Sequence, residues 1–310
     1  MNFRQLGNSG LTVSEVGLGC NNFGQRCDFE TSKEVIFEAL DQGINFFDTA
    51  DIYGNKGGSE SYMGKILKGR RDEIVLATKF GMDMGTNERA LASRRYLRCA
   101  IEASLKRLQT DHIDLYQLHR PDPLTPIEET LEALDDLVRS GKVLYIGSSN
   151  LKGWQIAEAA FIAKELGTAH FVSAQNLYSV LERGVEDEVL GACQAFGVGF
   201  LPFFPLASGL LTGKFRRNSK PPEGTRLSGR PEILQNVDFD FLEALEAFAR
   251  DRGMQLLDLA FAYLLYRPQV SSVIAGATSR EQIKANVATQ SHRLSENDYL
   301  ELQQLLHSHG

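Results

Sequence analysis

The regular recurrence of short apolar segments constrains the fold of this chain more than any other feature. Segments with strand-like composition begin near positions 45, 73, 113, 143, 171 and 199, and most starts lie about 30 residues apart. That interval is the length of one strand followed by one helix. Strand-like segments at Val16 and Val270 bring the total to eight. The sequence therefore predicts one α/β domain over residues 1–310, a (β/α)8 TIM barrel.

Helix-forming segments lie between these strands, and several of them carry start signals. Thr31 with Glu34 three residues later forms a capping-box pattern, which predicts a helix start at Thr31. Thr125 followed by Pro126 predicts the start of another helix. An N-terminal β-hairpin around the turn at 7–10 and two extra helices complete the predicted architecture.

A doubly wound open sheet is the alternative architecture for alternating strands and helices. That fold normally carries the pattern Gly-x-Gly-x-x-Gly after its first strand, where the glycines allow a dinucleotide to approach. Here Gly17 and Gly19 match the first two positions, but Asn22 stands where the third glycine is required. The barrel is therefore favoured.

Composition bears on partners and compartment. The net charge of −7 argues against nucleic acid or an anionic membrane as the main partner. The four cysteines are scattered and no His cluster has zinc-ligand spacing, so we expect no metal. No apolar run approaches the ~18 residues of a membrane helix, and the N-terminus lacks a basic-then-apolar signal segment. These features predict a cytoplasmic protein.

Polar side chains stand at the ends of consecutive strand-like segments. In chain order these residues are Asp48, Lys79, His119, Ser149 with Asn150, and Gln175 with Asn176. Taken singly, Lys79 is equally well explained as a surface lysine and His119 as a core histidine. Ser149, Asn150 and Gln175 are equally well explained as turn residues. Because the carboxyl ends of all barrel strands meet at one mouth, we expect these side chains to converge on a single site.

These residues lie in stretches that resemble the aldo-keto reductase family over nearly the whole chain. The matching stretches are GLGCNNFG at 17–24, NFFDTADIYG at 45–54, ATKFG at 77–81, DLYQLHRPD at 114–122, IGSSN at 146–150, AQNLYS at 174–179, FFPLASGLLTGKF at 203–215 and IAGATSREQIKAN at 274–286. Each stretch is moderately specific, and their order and spacing together are highly specific. The resemblance implies a reductase or dehydrogenase that works with a nicotinamide cofactor.

The resemblance implies a catalytic tetrad of Asp48, Tyr53, Lys79 and His119. Carbonyl reduction needs a hydride on carbon and a proton on the developing alkoxide. A free tyrosine has a pKa of about 10, and a nearby cation lowers the pKa of a phenol. We therefore expect Lys79 to lower the pKa of Tyr53, Asp48 to orient Lys79, and His119 to orient the substrate carbonyl.

The resemblance also implies a set of cofactor contacts. These residues are Ser149, Asn150, Gln175, Phe203, Leu206, Ser208, Leu210, Lys214, Gly276, Thr278, Ser279, Arg280, Gln282 and Asn286. The amide and hydroxyl groups near position 150 suit a nicotinamide carboxamide, and Phe203 stands where the family stacks an aromatic ring on the nicotinamide. An irregular stretch at 203–237 is expected to clasp the cofactor.

Two groups of residues are expected to meet the cofactor phosphates. Lys214, Arg216 and Arg217 form a basic cluster in an otherwise acidic chain, although a solvated basic loop explains the two arginines equally well. Thr278 is expected to cap a helix whose N-terminus, with Ser279 and Arg280, offers donors to a phosphate. Some family members carry a lysine and a further arginine here, and this chain has Gly276 and Gln282 instead. We expect NADPH/NADP+ as cofactor, with NADH as the weaker alternative.

The substrate is expected to be a small carbonyl compound or alcohol. The residues expected to contact it are Asn22, Phe23, Tyr53, Phe80 and His119. A first rival function is a cofactor-binding regulatory subunit of potassium channels, against which the short segment before the hairpin counts. A second is a dehydrogenase that oxidises an alcohol or a sugar with the same tetrad. A metal-dependent hydrolase needs ligands at several strand ends, where only His119 is available.

Overall fold

The computed structural model describes residues 1–229 and 231–309. A two-stranded antiparallel hairpin of β1 (Phe3–Gln5) and β2 (Thr12–Ser14) precedes eight parallel strands. The parallel strands are β3 (Val16–Gly19), β4 (Phe46–Asp48), β5 (Val75–Phe80), β6 (Ile113–Leu118), β7 (Val143–Ser149), β8 (Phe171–Leu177), β9 (Gly199–Phe203) and β10 (Val273–Gly276). They form one sheet in the order β10-β3-β4-β5-β6-β7-β8-β9, which confirms the predicted (β/α)8 barrel with an N-terminal hairpin.

Helices surround the sheet because parallel neighbours need a crossover connection. The helices are α1 (Phe29–Asp41), α2 (Tyr53–Ile66), α3 (Arg94–Leu108), α4 (Ile127–Arg139), α5 (Gly153–Leu166), α6 (Val189–Phe196), α7 (Pro231–Gln235), α8 (Phe239–Arg250), α9 (Leu256–Tyr266), α10 (Arg280–Ala288) and α11 (Glu296–His309). None of the helices in the described ranges is long and apolar enough to span a bilayer.

The last contact of the barrel, between β9 and β10, is much shorter than the others. In the described residues β9 meets the segment just before β10 through a single parallel bridge between Phe200 and Val270. The Phe200 N–H donates to the Gln269 carbonyl at 2.7 Å, and the Ser271 N–H donates to the Phe200 carbonyl at 3.0 Å. The bridge therefore lies at the start of β9, away from the mouth of the barrel.

Several helix starts differ from their predicted positions. The side chain of Asp28, not Thr31, caps α1, and it accepts a hydrogen bond from the Thr31 N–H at 2.8 Å. Pro126 precedes α4 without a side-chain cap, and Ser279 rather than Thr278 caps α10. Capping patterns locate a helix start only to within one or two residues, so a neighbouring residue with the same capability takes the position.

Two layers of core hold the barrel. Inside the barrel a small apolar cluster lies near its lower end; its buried members are Leu6, Val13, Phe46, Ala77, Leu115, Val172, Leu201 and Ile274. A larger cluster fills the space between the strands and the helices. This packing leaves the carboxyl ends of the strands as the open mouth, as expected for a barrel enzyme.

The N-terminal hairpin closes the bottom of the barrel. The Arg4 guanidinium donates to the carbonyls of Leu265 at 2.9 Å and Val270 at 2.8 Å, and it pairs with Glu15 at 2.7 Å. Gly7 has a φ of +57°, and a Cβ there would lie 2.4 Å from the Gly197 carbonyl oxygen. The hairpin is therefore joined to the last part of the barrel, and solvent reaches the interior from the mouth.

Candidate active site

One cavity of about 820 Å³ opens at the mouth of the barrel. Its wall contains the predicted residues Asn22, Asp48, Tyr53, His119, Ser149, Asn150, Gln175, Phe203, Leu206, Ser208, Lys214, Gly276, Thr278, Gln282 and Asn286. The described residues contain no group of three His, Cys, Asp or Glu side chains that could hold a metal ion. Polar groups at the ends of β4, β6, β7 and β8 thus share one cavity, whereas Lys79 and Asn176 do not line it.

Lys79 and Asp48 form a buried ion pair at the floor of this cavity. Lys79 lies within β5 and is fully buried, and its Nζ is 2.5 Å from Asp48 Oδ2. Gln117 and Gln175 donate to the other carboxylate oxygen, at 3.1 and 2.9 Å. Burial alone pushes the pKa of Lys79 down, but Asp48 and Tyr53 raise it by more, so the pKa of Lys79 lies above its ordinary value. Lys79 is therefore a fixed positive charge.

Tyr53 begins α2 and places its ring between this cation and His119. The Lys79 Nζ is 5.1 Å from the centre of the Tyr53 ring, and the His119 ring is 5.8 Å away in an edge-to-face arrangement. Burial raises the pKa of the Tyr53 hydroxyl, and Lys79 opposes this shift without reversing it. The sequence-based expectation of a lowered pKa is thus wrong in net direction, because burial disfavours tyrosinate more than the cation favours it. Tyr53 holds its proton at neutral pH.

The backbone immediately after Tyr53 is left-handed for four successive residues, 54 to 57. A Cβ at Gly54 would lie 2.4 Å from the Ser59 nitrogen and 2.5 Å from the Phe23 carbonyl oxygen, so only glycine fits there. Asn55 has φ +60° although it carries a side chain. Such strain concentrates at functional sites, and here it follows directly after the tyrosine.

His119 faces the same cavity as a neutral imidazole. Burial first, then the positive charges of Lys79 and Arg120, lower the pKa of His119 to about 3. Its Nδ1 is buried and has no hydrogen-bond partner in the described residues. The backbone N–H of His119 donates to the Phe80 carbonyl at 2.8 Å, and the backbone carbonyl of His119 accepts from the Asn150 side-chain amide at 2.9 Å. A neutral imidazole held in this way offers one N–H to a carbonyl oxygen.

Ser149 ends β7, Asn150 follows it directly, and Gln175 lies on the neighbouring strand β8. Asn150 has φ +60° and donates to the Ser149 hydroxyl at 3.0 Å. The Gln175 amide nitrogen is used by Asp48 and by Gln117 Oε1, the latter at 3.3 Å. The Gln175 oxygen therefore remains as an acceptor on the cavity wall, which suits the N–H of a carboxamide.

The loop after β9 crosses the mouth of the barrel. The Arg26 guanidinium donates to the Gly224 carbonyl at 2.6 Å, and that of Arg226 donates to the Asn22 side chain at 3.2 Å. Phe203 and Lys214 line the cavity, but Leu210 does not. The side chain of Leu210, which was predicted to contact the cofactor, is instead buried with Phe215 and Leu227 in a separate cluster. Arg230, inside the predicted clasp, lies outside the described residues.

The predicted phosphate contacts are only partly placed at the cavity. Arg216 pairs with Glu246 at 2.8 Å, and Arg217 pairs with Asp240. Arg280, at the start of α10, pairs with Glu38 of α1 at 2.9 Å. Neither Ser279, which caps α10, nor Arg280 lines the cavity. Acidic partners on neighbouring helices thus hold all three arginines, which sequence spacing does not reveal.

Two residues predicted to contact the substrate, Phe23 and Phe80, do not line the cavity. Phe23 and Phe80 are fully buried in the core outside the barrel, where Phe80 stacks on Tyr116 with ring centres 4.8 Å apart. Successive side chains of a strand point to opposite faces. Because Lys79 points into the barrel, Phe80 points out of it.

Sequence reasoning missed several residues that belong to the wall or lie beneath it. Arg26, Arg120, Phe204 and Arg226 line the cavity. The histidine motif at 114–122 contains Arg120, so its position beside His119 was a usable signal. Asp51, on the loop that carries Tyr53, is 1% exposed. Burial and the nearby Glu60 carboxylate raise the pKa of Asp51 to about 7.

Comparison with known proteins agrees with this geometry. A family model described as "Aldo/keto reductase family" matches residues 15–307. An uncharacterised oxidoreductase, YrpG, of Bacillus subtilis is 40% identical over 298 residues, covering 93% of this chain and 90% of the relative. A probable voltage-gated potassium channel subunit beta of Oryza sativa is 36% identical, with the same coverage of 93% and 90%. L-glyceraldehyde 3-phosphate reductase of Escherichia coli is 35% identical, covering 93% of this chain and 87% of the relative. The chain therefore belongs to the aldo/keto reductase family.

Proposed function

We propose that this oxidoreductase reduces aldehyde or ketone carbonyls to alcohols, with NADPH as hydride donor and Tyr53 as general acid. One observation carries the proposal: the buried Lys79 lies between the Asp48 carboxylate and the Tyr53 ring, and neutral His119 faces the same cavity. Membership of the family supports an oxidoreductase on its own. The arrangement of these four residues supports Tyr53 as the group that exchanges the proton.

The chemistry of the wall fits a nicotinamide dinucleotide. Ser149, Asn150 and the free Gln175 oxygen offer hydrogen bonds to a carboxamide, and Phe203 offers an aromatic face. Lys214 adds a positive charge on the loop that crosses the mouth. When bound, the reduced cofactor supplies the hydride. The other requirements of the reaction are met by the chain itself.

The proton comes from Tyr53 in this proposal. Burial keeps Tyr53 protonated before the reaction, which a general acid requires. The tyrosinate left after proton transfer lies beside the Lys79 cation, which stabilises it and which Asp48 holds in place. His119 donates its N–H to the carbonyl oxygen and orients it toward Tyr53. In the oxidative direction the same groups accept the proton, so the cofactor ratio sets the direction.

NADPH is proposed over NADH with a modest preference. The cation expected to hold the 2′-phosphate, Arg280, is engaged with Glu38 but is half-exposed. It is able to pair with a phosphate only while it shares or releases that carboxylate. The preference for NADPH is therefore expected to be weaker than in a site with uncommitted cations.

A second candidate function rests on the potassium channel subunits among the relatives. Three such relatives are 36–38% identical to this chain. A cofactor-binding regulatory subunit needs the same cavity but not rapid turnover. The complete set of Asp48, Tyr53, Lys79 and His119 at one cavity favours the enzyme.

The Tyr53→Phe variant tests the proposal. It removes the acidic hydroxyl and keeps the ring, so we expect the fold and cofactor binding to persist and turnover to fall by about 10²–10⁴-fold. NADPH oxidation should be followed with a panel of aldehydes, ketones and sugars that includes L-glyceraldehyde 3-phosphate. Tyr62→Phe is the matched control. Tyr62 lies on α2, and its ring packs edge-to-face against Phe29 of α1.

Two results would contradict the proposal. Near-normal turnover by Tyr53→Phe would exclude Tyr53 as the proton donor. A wild-type protein that binds NADPH tightly but reduces no member of the panel would favour the regulatory subunit.

A further inference from the structure

The catalytic cavity contains a cation that the proposed function does not use. Arg120 follows His119 directly at the end of β6, is exposed, and lines the same cavity as Tyr53. No hydrogen bond or ion pair to its guanidinium occurs within residues 1–229 and 231–309. Its charge nevertheless reaches the site, because it helps to lower the pKa of His119.

The other cations of the wall have partners or lie elsewhere. Arg26 and Arg226 tie the loop after β9 to the loop after β3. Lys214 stands on the loop after β9, on the side proposed for the cofactor. The acidic residues of the wall are Asp48, which is paired with Lys79, and Glu223 on the crossing loop. In a chain with net charge −7, the surroundings of His119 are therefore locally positive.

The topology separates Arg120 from the proposed phosphate contacts. In the barrel order β10-β3-β4-β5-β6-β7-β8-β9, β6 is four places from β10 in either direction. The two strands thus lie on opposite sides of the mouth. Gly276 ends β10, and Thr278 and Gln282 follow it, so Arg120 faces the side of the cavity that remains for the substrate.

The loop that carries Arg120 is held in position. The Asp122 carboxylate accepts hydrogen bonds from the Ala92 N–H at 2.8 Å, the Leu124 N–H at 3.0 Å and the Thr125 hydroxyl at 2.7 Å. Asn150 holds the His119 carbonyl from the other side. Arg120 is therefore presented from a fixed backbone, which reduces the entropy lost when its side chain binds a ligand.

We propose that Arg120 binds an anionic group of the substrate, so that the preferred substrates are carbonyl compounds that carry a carboxylate or a phosphate. This assignment rests on the proposed carbonyl reduction. A guanidinium forms two parallel hydrogen bonds with either anion. His119 and Tyr53 hold the carbonyl oxygen while the adjacent Arg120 holds the anion. A neutral carbonyl compound uses only the first of these contacts.

Matched substrates test Arg120 directly. The ratio of kcat/KM for 4-carboxybenzaldehyde to that for the isosteric neutral 4-nitrobenzaldehyde cancels effects on the shared chemistry. In Arg120→Gln we expect this ratio to fall at least about tenfold, because one charge-assisted contact is lost. Arg120→Lys should keep part of the ratio, since it retains the charge without the planar fork. Arg98→Gln, an exposed arginine on α3 outside the cavity wall, should leave it unchanged.

A second pair, glyceraldehyde 3-phosphate and glyceraldehyde, distinguishes the two anions. A fall of the ratio for either pair supports the assignment and identifies the anion. A change of less than twofold for both pairs in Arg120→Gln overturns it.

A binding measurement separates this inference from the proposed reaction. With protein saturated with NADP+, calorimetry compares 4-(hydroxymethyl)benzoate with 4-nitrobenzyl alcohol, and no turnover is needed. Arg120→Gln should weaken binding of the first alcohol at least about tenfold and of the second less than twofold. Equal weakening of both alcohols overturns the role of Arg120, as does a wild-type protein that prefers neither this carboxylate in binding nor glyceraldehyde 3-phosphate over glyceraldehyde in turnover. Absence of turnover with these binding differences intact refutes only the reductase proposal.

Discussion

Asp51 is a buried acid next to the catalytic residues that has no part in the proposed reaction. Its backbone N–H donates to the Lys79 carbonyl at 3.2 Å, and no side chain of the described residues donates to its carboxylate oxygens. Glu60 lies nearby and pairs with Arg107 at 2.6 Å. Burial is the largest cause of the raised Asp51 pKa of about 7, and the negative charge of Glu60 is the second. The positive charges of Arg107 and Lys79 lower the Asp51 pKa but do not cancel the rise.

Asp51→Asn is expected to change how stability depends on pH. Between about pH 4 and pH 7 folded Asp51 keeps a proton that the unfolded chain has lost, so the free energy of unfolding falls as pH rises through this window. The amide that replaces this carboxyl group does not titrate. We therefore expect the free energy of unfolding of the variant, relative to that of the wild type, to increase by about 2–4 kcal/mol from pH 4.5 to pH 8. Denaturant unfolding at the two pH values measures this change.

Asp72→Asn, at an exposed aspartate, is the control for this measurement. A stability difference between Asp51→Asn and wild type that is the same at both pH values would show that Asp51 is ionised throughout.

At this scale the sequence predicted that Asp48, Lys79 and His119 meet at one site, but not all of their neighbours. Asp48, Lys79 and His119 were recognisable because strand-end position and motif agree. The outward direction of Phe80 was missed, because β5 extends to Phe80 and adjacent side chains of a strand point to opposite faces. The net pKa of Tyr53 depends on burial, which a list of nearby charges does not contain.

The element that carries Tyr53 departs most from a regular helix. The chain turns left-handed from 54 to 57 before α2 continues. Gly54 and Gly57 adopt positive φ at little cost, but Asn55 and Lys56 adopt positive φ as well. Local propensity does not predict a left-handed backbone at residues with side chains.

Gly54→Ala is expected to disturb both stability and catalysis. The added methyl would meet two backbone atoms at 2.4–2.5 Å in a left-handed conformation, at a cost of about 2–5 kcal/mol. Because the displaced segment begins one residue after Tyr53, kcat should fall as well. Thermal unfolding and steady-state kinetics measure the two effects.

Gly69→Ala separates the conformational cost from the clash. Gly69 also has a positive φ, +81°, but a Cβ there would meet no atom within 4 Å. We expect a loss of only about 1 kcal/mol with activity unchanged. Equal effects of the two substitutions would show that the segment after Tyr53 is not tightly fitted.

The cavity as a whole is built from distant parts of the chain. Asn22 follows the first barrel strand, Arg226 belongs to the loop after β9, and Gly276 ends the last strand. The 30-residue repeat predicted this convergence because it specified the barrel. The crossing contacts of Arg26 and Arg226 were not predictable, since nothing in their spacing indicates which loops meet.

Cofactor binding should therefore stabilise the entire barrel. A ligand at 100 times its Kd adds about 2.7 kcal/mol to the free energy of unfolding. At equal concentrations we expect NADPH to raise Tm more than NADH and to give faster turnover with the same aldehyde. A larger effect of NADH in both measurements would contradict the proposed cofactor preference.

The hairpin at the bottom of the barrel has a consequence for biosynthesis. Arg4 binds carbonyls 261 and 266 residues later in the chain. Ribosomes add about 5–20 residues per second, so the hairpin emerges on the order of 10–50 s before its binding partners exist. During that interval Leu6 has no site in which to be buried. The barrel is therefore completed only after nearly the whole chain has been translated, and the nascent protein is most exposed to chaperones and proteases in the preceding seconds.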